Sequence, residues 1–178
     1  MTTSVKFGSF LTASEQASAA KVVVGAKGTI DLAKLSAVAA VAPFSALDAS
    51  VTAPLHLKEG SASSVTVWHK SGDALQQIVF AEYDNKLSRN MGIVRTDLAT
   101  AAVASAVPAA GNVQLTLVVA SAAEAYAVGL AAARNWPIYT RKTGSKAADR
   151  TVFVDFVALN GEAANVAEIQ AIADGIRN

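Results

Sequence analysis

The strongest constraint on this chain is a repeated switch between strand-like and helix-like runs. Val113 to Val119 has the Val/Leu/Thr character of a strand, and an alanine-rich stretch from Ala122 to Arg134 follows it. Ser121 is placed to cap that helix, with Glu124 at its third position. Thr151 to Leu159 is the next strand. Its Val152, Val154, Phe156 and Ala158 alternate with Phe153, Asp155 and Val157, so apolar groups lie on both faces and both faces are expected to be covered. Asn160-Gly161 then turns the chain into a last helix, Glu162 to Arg177, whose stripe of Val166, Ile169, Ile172 and Ile176 is expected to face the core. Strand–helix–strand steps of this kind imply parallel pairing through right-handed crossovers.

The first half carries the same signals less regularly. Val5 to Phe7 is a short first strand, and Val22-Val23-Val24, ended by Gly25, suits a strand buried on both sides. Asp31 to Ala40 has the composition of a short helix, with Asp31 at its start and Pro43 beyond its end. Ser45 to Ser64 is the least regular stretch. Val65 to His69 and Gln77 to Tyr83 flank the turn residues Ser71-Gly72-Asp73, which predicts an antiparallel hairpin. Met91 to Val107 reads as a helix stopped by Pro108, with Val94, Leu98, Ala101, Ala102 and Ser105 on one face. The expected fold is therefore α/β: a mixed, mostly parallel sheet flanked by helices on both faces.

Composition narrows the function classes. The 178 residues fit one domain, and 52% hydrophobic with 6% aromatic content means a core of Ala, Val, Leu and Ile. Charged residues make up only 16%, which predicts that another domain or subunit covers part of the surface. A formal net charge of +1 supplies no broad attraction to nucleic acid or an anionic membrane. The absence of cysteine excludes disulfides and thiolate metal sites. Residues 1–7 lack the basic and apolar regions of a secretory signal, so a cytoplasmic protein is expected.

Motifs that would carry chemistry are weak. His56 and His69 are far apart, and the acids are scattered, so no metal or catalytic residue is assigned. Gly25-Ala26-Lys27-Gly28-Thr29 follows a strand but has neither phosphate-loop spacing, and is expected to be a plain turn. Ser18-Ala19-Ala20-Lys21 and Lys142-Thr143-Gly144 mimic serine β-lactamase motifs. That chemistry needs the Ser and Lys on a helix, whereas Lys21 leads into a strand. Arg134, Arg141, Lys142, Lys146 and Arg150 gather around Trp136 and Tyr139. Such a patch can bind single-stranded nucleic acid, but a solvated loop with its aromatics anchored on the core is the commoner arrangement.

The second half resembles a known family. Tyr126-Ala-Val-Gly-Leu-Ala-Ala-Ala-Arg-Asn-Trp-Pro-Ile-Tyr-Thr-Arg-Lys142 is similar to the amino-terminal domain of leucyl aminopeptidases, where a helix with an Ala-x-Gly pattern leads through an aromatic and basic segment into the next strand. Within it, Trp-Pro-Ile-Tyr-Thr-Arg-Lys resembles the trypanosomatid branch. Ala167-Glu-Ile-Gln-Ala-Ile-Ala-Asp-Gly-Ile-Arg-Asn178 resembles the helix that joins that domain to the peptidase domain.

The resemblance implies a macrodomain-like fold for residues 1–178, with 162–178 leading into a carboxy-terminal peptidase domain and the chain cut short of it. It further implies a homohexamer, and a two-metal centre of zinc or manganese in the peptidase domain. The signature Asn-Thr-Asp-Ala-Glu-Gly-Arg-Leu of that centre is absent here, so no family catalytic residue maps onto this chain. Trp136, Tyr139, Arg141, Lys142 and Ile176 are the expected interdomain or assembly contacts. Two other readings stay open: a free-standing macrodomain-like binder of ADP-ribose or another nucleotide, and a structural assembly subunit such as a viral shell or tail protein.

Overall fold

The computed structural model describes residues 3–8, 19–33, 35, 47, 49–52, 55, 61–86, 92–138 and 149–177. Among them, six strands form one sheet: β1 (Thr3–Phe7), β2 (Ala20–Ala26), β3 (Ala62–Ser71), β4 (Ala74–Tyr83), β5 (Val113–Val119) and β6 (Arg150–Ala158). Three helices accompany them: α1 (Thr96–Ala106), α2 (Ala122–Ala133) and α3 (Val166–Arg177). The order across the sheet is β1-β6-β5-β2-β4-β3, and every pair is parallel except β3 with β4. The expected mixed, mostly parallel α/β sheet is what the chain forms.

Central strands are buried on both faces because their runs carry apolar groups at consecutive positions. Val22, Val23 and Val24 are wholly inaccessible, as are Leu115 and Leu117. On one face, α1, α2 and α3 pack over Val22, Val24, Leu115, Val152 and Val154. On the other, Val23, Ile78, Phe80 and Val118 meet Leu32 and Leu35, with Leu47, Val51 and Leu55 beside them. Leu32, Ala33 and Leu35 are helical, and the Asp31 carboxylate accepts from Ala33 N at 2.9 Å, as a start at Asp31 requires. The remainder of the predicted 31–40 helix lies outside the described residues.

Alanine-rich helices sit close to the sheet, and Gly129 marks a close approach within α2. A Cβ there would lie 2.9 Å from Phe156 Cζ and 3.1 Å from Ile169 Cγ2. Phe156 in turn stacks on Phe7 of β1, with centroids 5.9 Å apart. One glycine thus sets the spacing of α2, α3 and two strands.

Two helix assignments need correction. The 91–107 helix begins only at Thr96, and its buried residues are Ala99, Ala102, Val103 and Ala106, of which only Ala102 belongs to the predicted stripe; Val94 is buried just before the helix. Ala101 and Ser105 are exposed. With alanine on nearly every side, periodicity cannot select the inward face. The last helix begins at Val166, not Glu162, and buries Ile169, Ala173 and Arg177. Asn165 caps its start: its Oδ1 accepts from Glu168 N at 3.3 Å, and its side-chain Nδ2 donates to Glu168 Oε2 at 3.0 Å. Ile176, expected on the inner stripe, is 40% exposed. No helix among the described residues is long and apolar enough to cross a membrane.

Candidate functional site

Open α/β sheets bind ligands outside the carboxyl ends of strands where successive connections leave toward opposite faces. Here β2 exits toward the face of Leu32, and β5 exits through Ala120-Ser121 into α2 on the other face. A helix start at such a place offers free N–H groups to a phosphate. In this chain side chains already take two of them, and a carboxylate takes the Ala120 N–H just before the helix. Glu124 Oε2 accepts from Ala120 N. Glu162 Oε2 accepts from Ala122 N at 3.0 Å, and Ser121 Oγ accepts from Glu124 N at 3.4 Å. Across the crevice, Glu82 Oε1 accepts from Gly28 N at 3.2 Å.

Electrostatics follow from these contacts. Burial raises the Glu82 carboxyl, with the Gly28 N–H and Lys27 opposing it. The Ala122 N–H holds Glu162 low, helped by Asn160. Tyr83, wholly buried, has its hydroxyl pushed up by burial and then by Glu124. The 25–29 segment is closed on itself: Thr29 Oγ1 donates to Ala26 O at 2.6 Å, and a Cβ on Gly25 would lie 2.5 Å from Thr29 Oγ1. Gly25 and Ala26 still belong to β2, and the chain turns only after them, at Lys27-Gly28. Carboxylates that already accept from backbone N–H groups here disfavour phosphate. Titrating the protein with ADP-ribose in a calorimeter is expected to give no heat of binding; a saturable isotherm would show that the carboxylates are displaced.

A cavity of about 300 Å³ lies beside this crevice, between the ends of β1 and β6 and the start of α3. Gly8, Phe156, Ala164 and Val166 line it together with the acids Asp155 and Glu162. Asp155 sits on β6 opposite Thr116 of β5 and is 7% exposed. Burial raises its carboxyl above the usual range, while Thr116 and Gln114 favour the ionised form. Among the described residues its Oδ1 has no hydrogen-bond partner.

The raised value has a defined consequence. The folded chain holds the Asp155 proton more tightly than the unfolded chain, so stability from this group falls as pH rises from the unfolded carboxyl range through the folded value. Asp155→Asn is expected to raise stability at neutral pH and to flatten that decline. Urea unfolding between mildly acidic and neutral pH checks this; an unchanged slope would contradict it.

Among the described residues, no group of three His, Asp or Glu side chains is arranged to hold a metal ion. His69 lies on β3, and His56 lies outside the described residues. Lys21 of the β-lactamase-like pattern is on β2, and burial lowers its amine to about 8. Ser18 and residues 142–144 lie outside the described residues.

Of the predicted contacts, Tyr139, Arg141 and Lys142 also lie outside the described residues. Trp136 is 8% exposed within the helix-side core. Ile176 is exposed at the end of α3, near exposed Ile138, whose N–H donates to Arg177 O at 2.8 Å.

Arg177 is the residue that sequence reasoning missed. It is 5% exposed; its Nε donates to Trp136 O at 2.6 Å and its Nη2 to Thr3 O. Burial lowers its pKa, and Asp174 opposes that shift. Arg150 joins the same end of the sheet, donating to Thr3 Oγ1 at 3.3 Å and to Pro108 O. The available signal was spacing: Ile169, Ala173 and Arg177 recur every four residues.

No family model matches the sequence, and no curated protein matches it. Solved structures do. Leucyl aminopeptidase from Leishmania major, in complex with actinonin, superposes with a TM-score of 0.63 at 21% identity over 98% of this chain. The Trypanosoma brucei leucyl aminopeptidase, also with actinonin, gives 0.62 at 21% identity over 98%. Leucine aminopeptidase from Caenorhabditis elegans gives 0.59 at 13% identity over 99%. This chain spans 34% of the first of these chains and 35% of each of the other two. At such identities it is the fold that is shared, and this chain has the fold of about a third of a leucyl aminopeptidase chain.

Proposed function

We propose that this chain is the amino-terminal, non-catalytic accessory and assembly domain of a leucyl aminopeptidase, an exopeptidase that releases amino-terminal residues from peptides with metal-activated water. One observation carries the reading: nearly the whole chain superposes on several such enzymes yet spans only about a third of each. The catalytic work then belongs to a carboxy-terminal peptidase domain of the same protein. Its two divalent cations, zinc or manganese, belong there too, because the described residues here offer no fitting donor set. The whole enzyme is a cytoplasmic homohexamer in this reading.

The domain's own contribution is orientation. Arg177 fastens the last turn of α3 to Thr3 and to the Trp136 carbonyl, so the helix end is rigid where the next domain would attach. Exposed Ile138 and Ile176 lie beside that end and suit burial against it. The carboxylate-held N–H groups of the crevice argue against the nucleotide-binding alternative.

The test is to express the natural reading frame beyond Asn178 and assay release of leucine from a chromogenic amide with added manganese or zinc. The longer protein is expected to turn over, and the 178-residue chain alone to show none. Turnover by the short chain, or none by the longer one with either metal, would defeat the reading.

A further inference from the structure

We propose that the outer edge of β3 pairs antiparallel with β3 of a second copy of this chain, extending the sheet across a two-fold axis at Thr66. The inference does not rest on the aminopeptidase reading.

β3 is ten residues long and, among the described residues, ends the sheet, with β4 as its partner on one side only. Ser71 and Ala74 close the hairpin around Gly72-Asp73, and Gly72 has φ of 62°, the value that a type II′ turn needs at its first central position. In such a hairpin the residues flanking the turn exchange both backbone hydrogen bonds, and the pattern alternates from there. The peptide groups of Ser64, Thr66, Trp68 and Lys70 therefore point away from β4. An open row of donors and acceptors is a template for another strand, and what fits it is extended backbone.

Side chains select which strand. With Thr66 opposite Thr66 of the copy, Val65 faces Val67, Ser64 faces Trp68, and Ala62 faces Lys70. Val65 and Val67 are only partly buried against the core of Val23 and Phe80, and the pairing would continue that apolar row across the axis. Trp68, 60% exposed, would lie over a small serine. Each Lys70 meets an alanine, and the two lysines end up at opposite ends of the paired region. Large residues thus face small ones, and like charges stay apart. With a net charge of +1, little long-range repulsion opposes association of two copies.

The chain has no cysteine, so a single introduced one reports only contacts between copies. In sedimentation equilibrium at micromolar concentration, the protein is expected at twice its 18.2 kDa chain mass. Thr66→Pro removes an outward N–H without touching the β4 pairing, and Trp68→Lys puts charge at the seam; each is expected to return the chain to monomer with unchanged circular dichroism. Oxidised Thr66→Cys should run as a covalent dimer, whereas Ala123→Cys, exposed at the start of α2, should not. If Thr66→Pro does not fold, Trp68→Lys and the crosslinking pair decide. A monomeric wild type, a folded Trp68→Lys variant that stays dimeric, or equal crosslinking at positions 66 and 123 overturns the proposal.

Discussion

Gly129→Leu is expected to destabilise the chain by about 3 kcal/mol, close to the upper end of what overpacking normally costs. Even a bare Cβ at this position would sit 2.9 Å from the Phe156 ring and 3.1 Å from Ile169. Relief would require α2 to lift, and α2 packs against both neighbouring helices as well as β5 and β6. Phe156 cannot swing freely, because its other side stacks on Phe7. Gly129→Ala should cost much less, since alanine returns about 1 kcal/mol of helix propensity against the milder overlap. Urea unfolding of the two variants beside wild type measures this. A leucine variant as stable as the alanine variant would mean that the helix–sheet gap is looser than the contacts imply.

Arg177→Ala is expected to cost about 3 kcal/mol as well, for a different reason. Removing the guanidinium leaves the Trp136 and Thr3 carbonyls without this donor, and each buried acceptor so abandoned costs about 1–3 kcal/mol. The salt bridge to Asp174 contributes little, being 3.9 Å long to a half-exposed carboxylate. Arg177→Lys should recover only part of the loss, because an ammonium cannot reach both carbonyls as the planar fork does. Asp174→Asn serves as the control and should sit within about 0.5 kcal/mol of wild type. If Asp174→Asn proves as damaging as Arg177→Ala, the ion pair and not the carbonyl contacts holds the helix end.

Strands were legible wherever β-branched residues ran together. Val22 to Val24 and Val113 to Val119 fell within strands because few other folds can bury such runs on both faces. Ser121 and Glu124 announced the start of α2 because capping is local chemistry, readable over four residues. What escaped depended on partners distant in sequence. Glu162 looked like a helix start, yet its carboxylate serves the N–H of Ala122, forty positions earlier. The acids of the crevice raised no signal because Glu82 bonds a backbone amide fifty-four positions away. Ile176 was preferred over Arg177 as an inward residue by hydrophobicity alone. The interior accepted the arginine because two carbonyls, one at the start of β1 and one in the bend after α2, accept from it.

The pairing of β1 bears on how the chain is made. Its strand partner is β6, so Thr3 meets Arg150 only after 147 further residues. Gln170 of α3 adds the other tie, accepting from Phe7 N at 2.8 Å and donating to Val5 O at 3.2 Å. At a ribosomal pace of about 5–20 residues per second, the opening segment waits on the order of ten seconds or more for its neighbours to be synthesised. During that time Val5 and Phe7 are apolar groups whose native site does not yet exist. The pairing of β1 with β6 and α3 is then a late, long-range step, and it is the one that should set the folding rate of this unit.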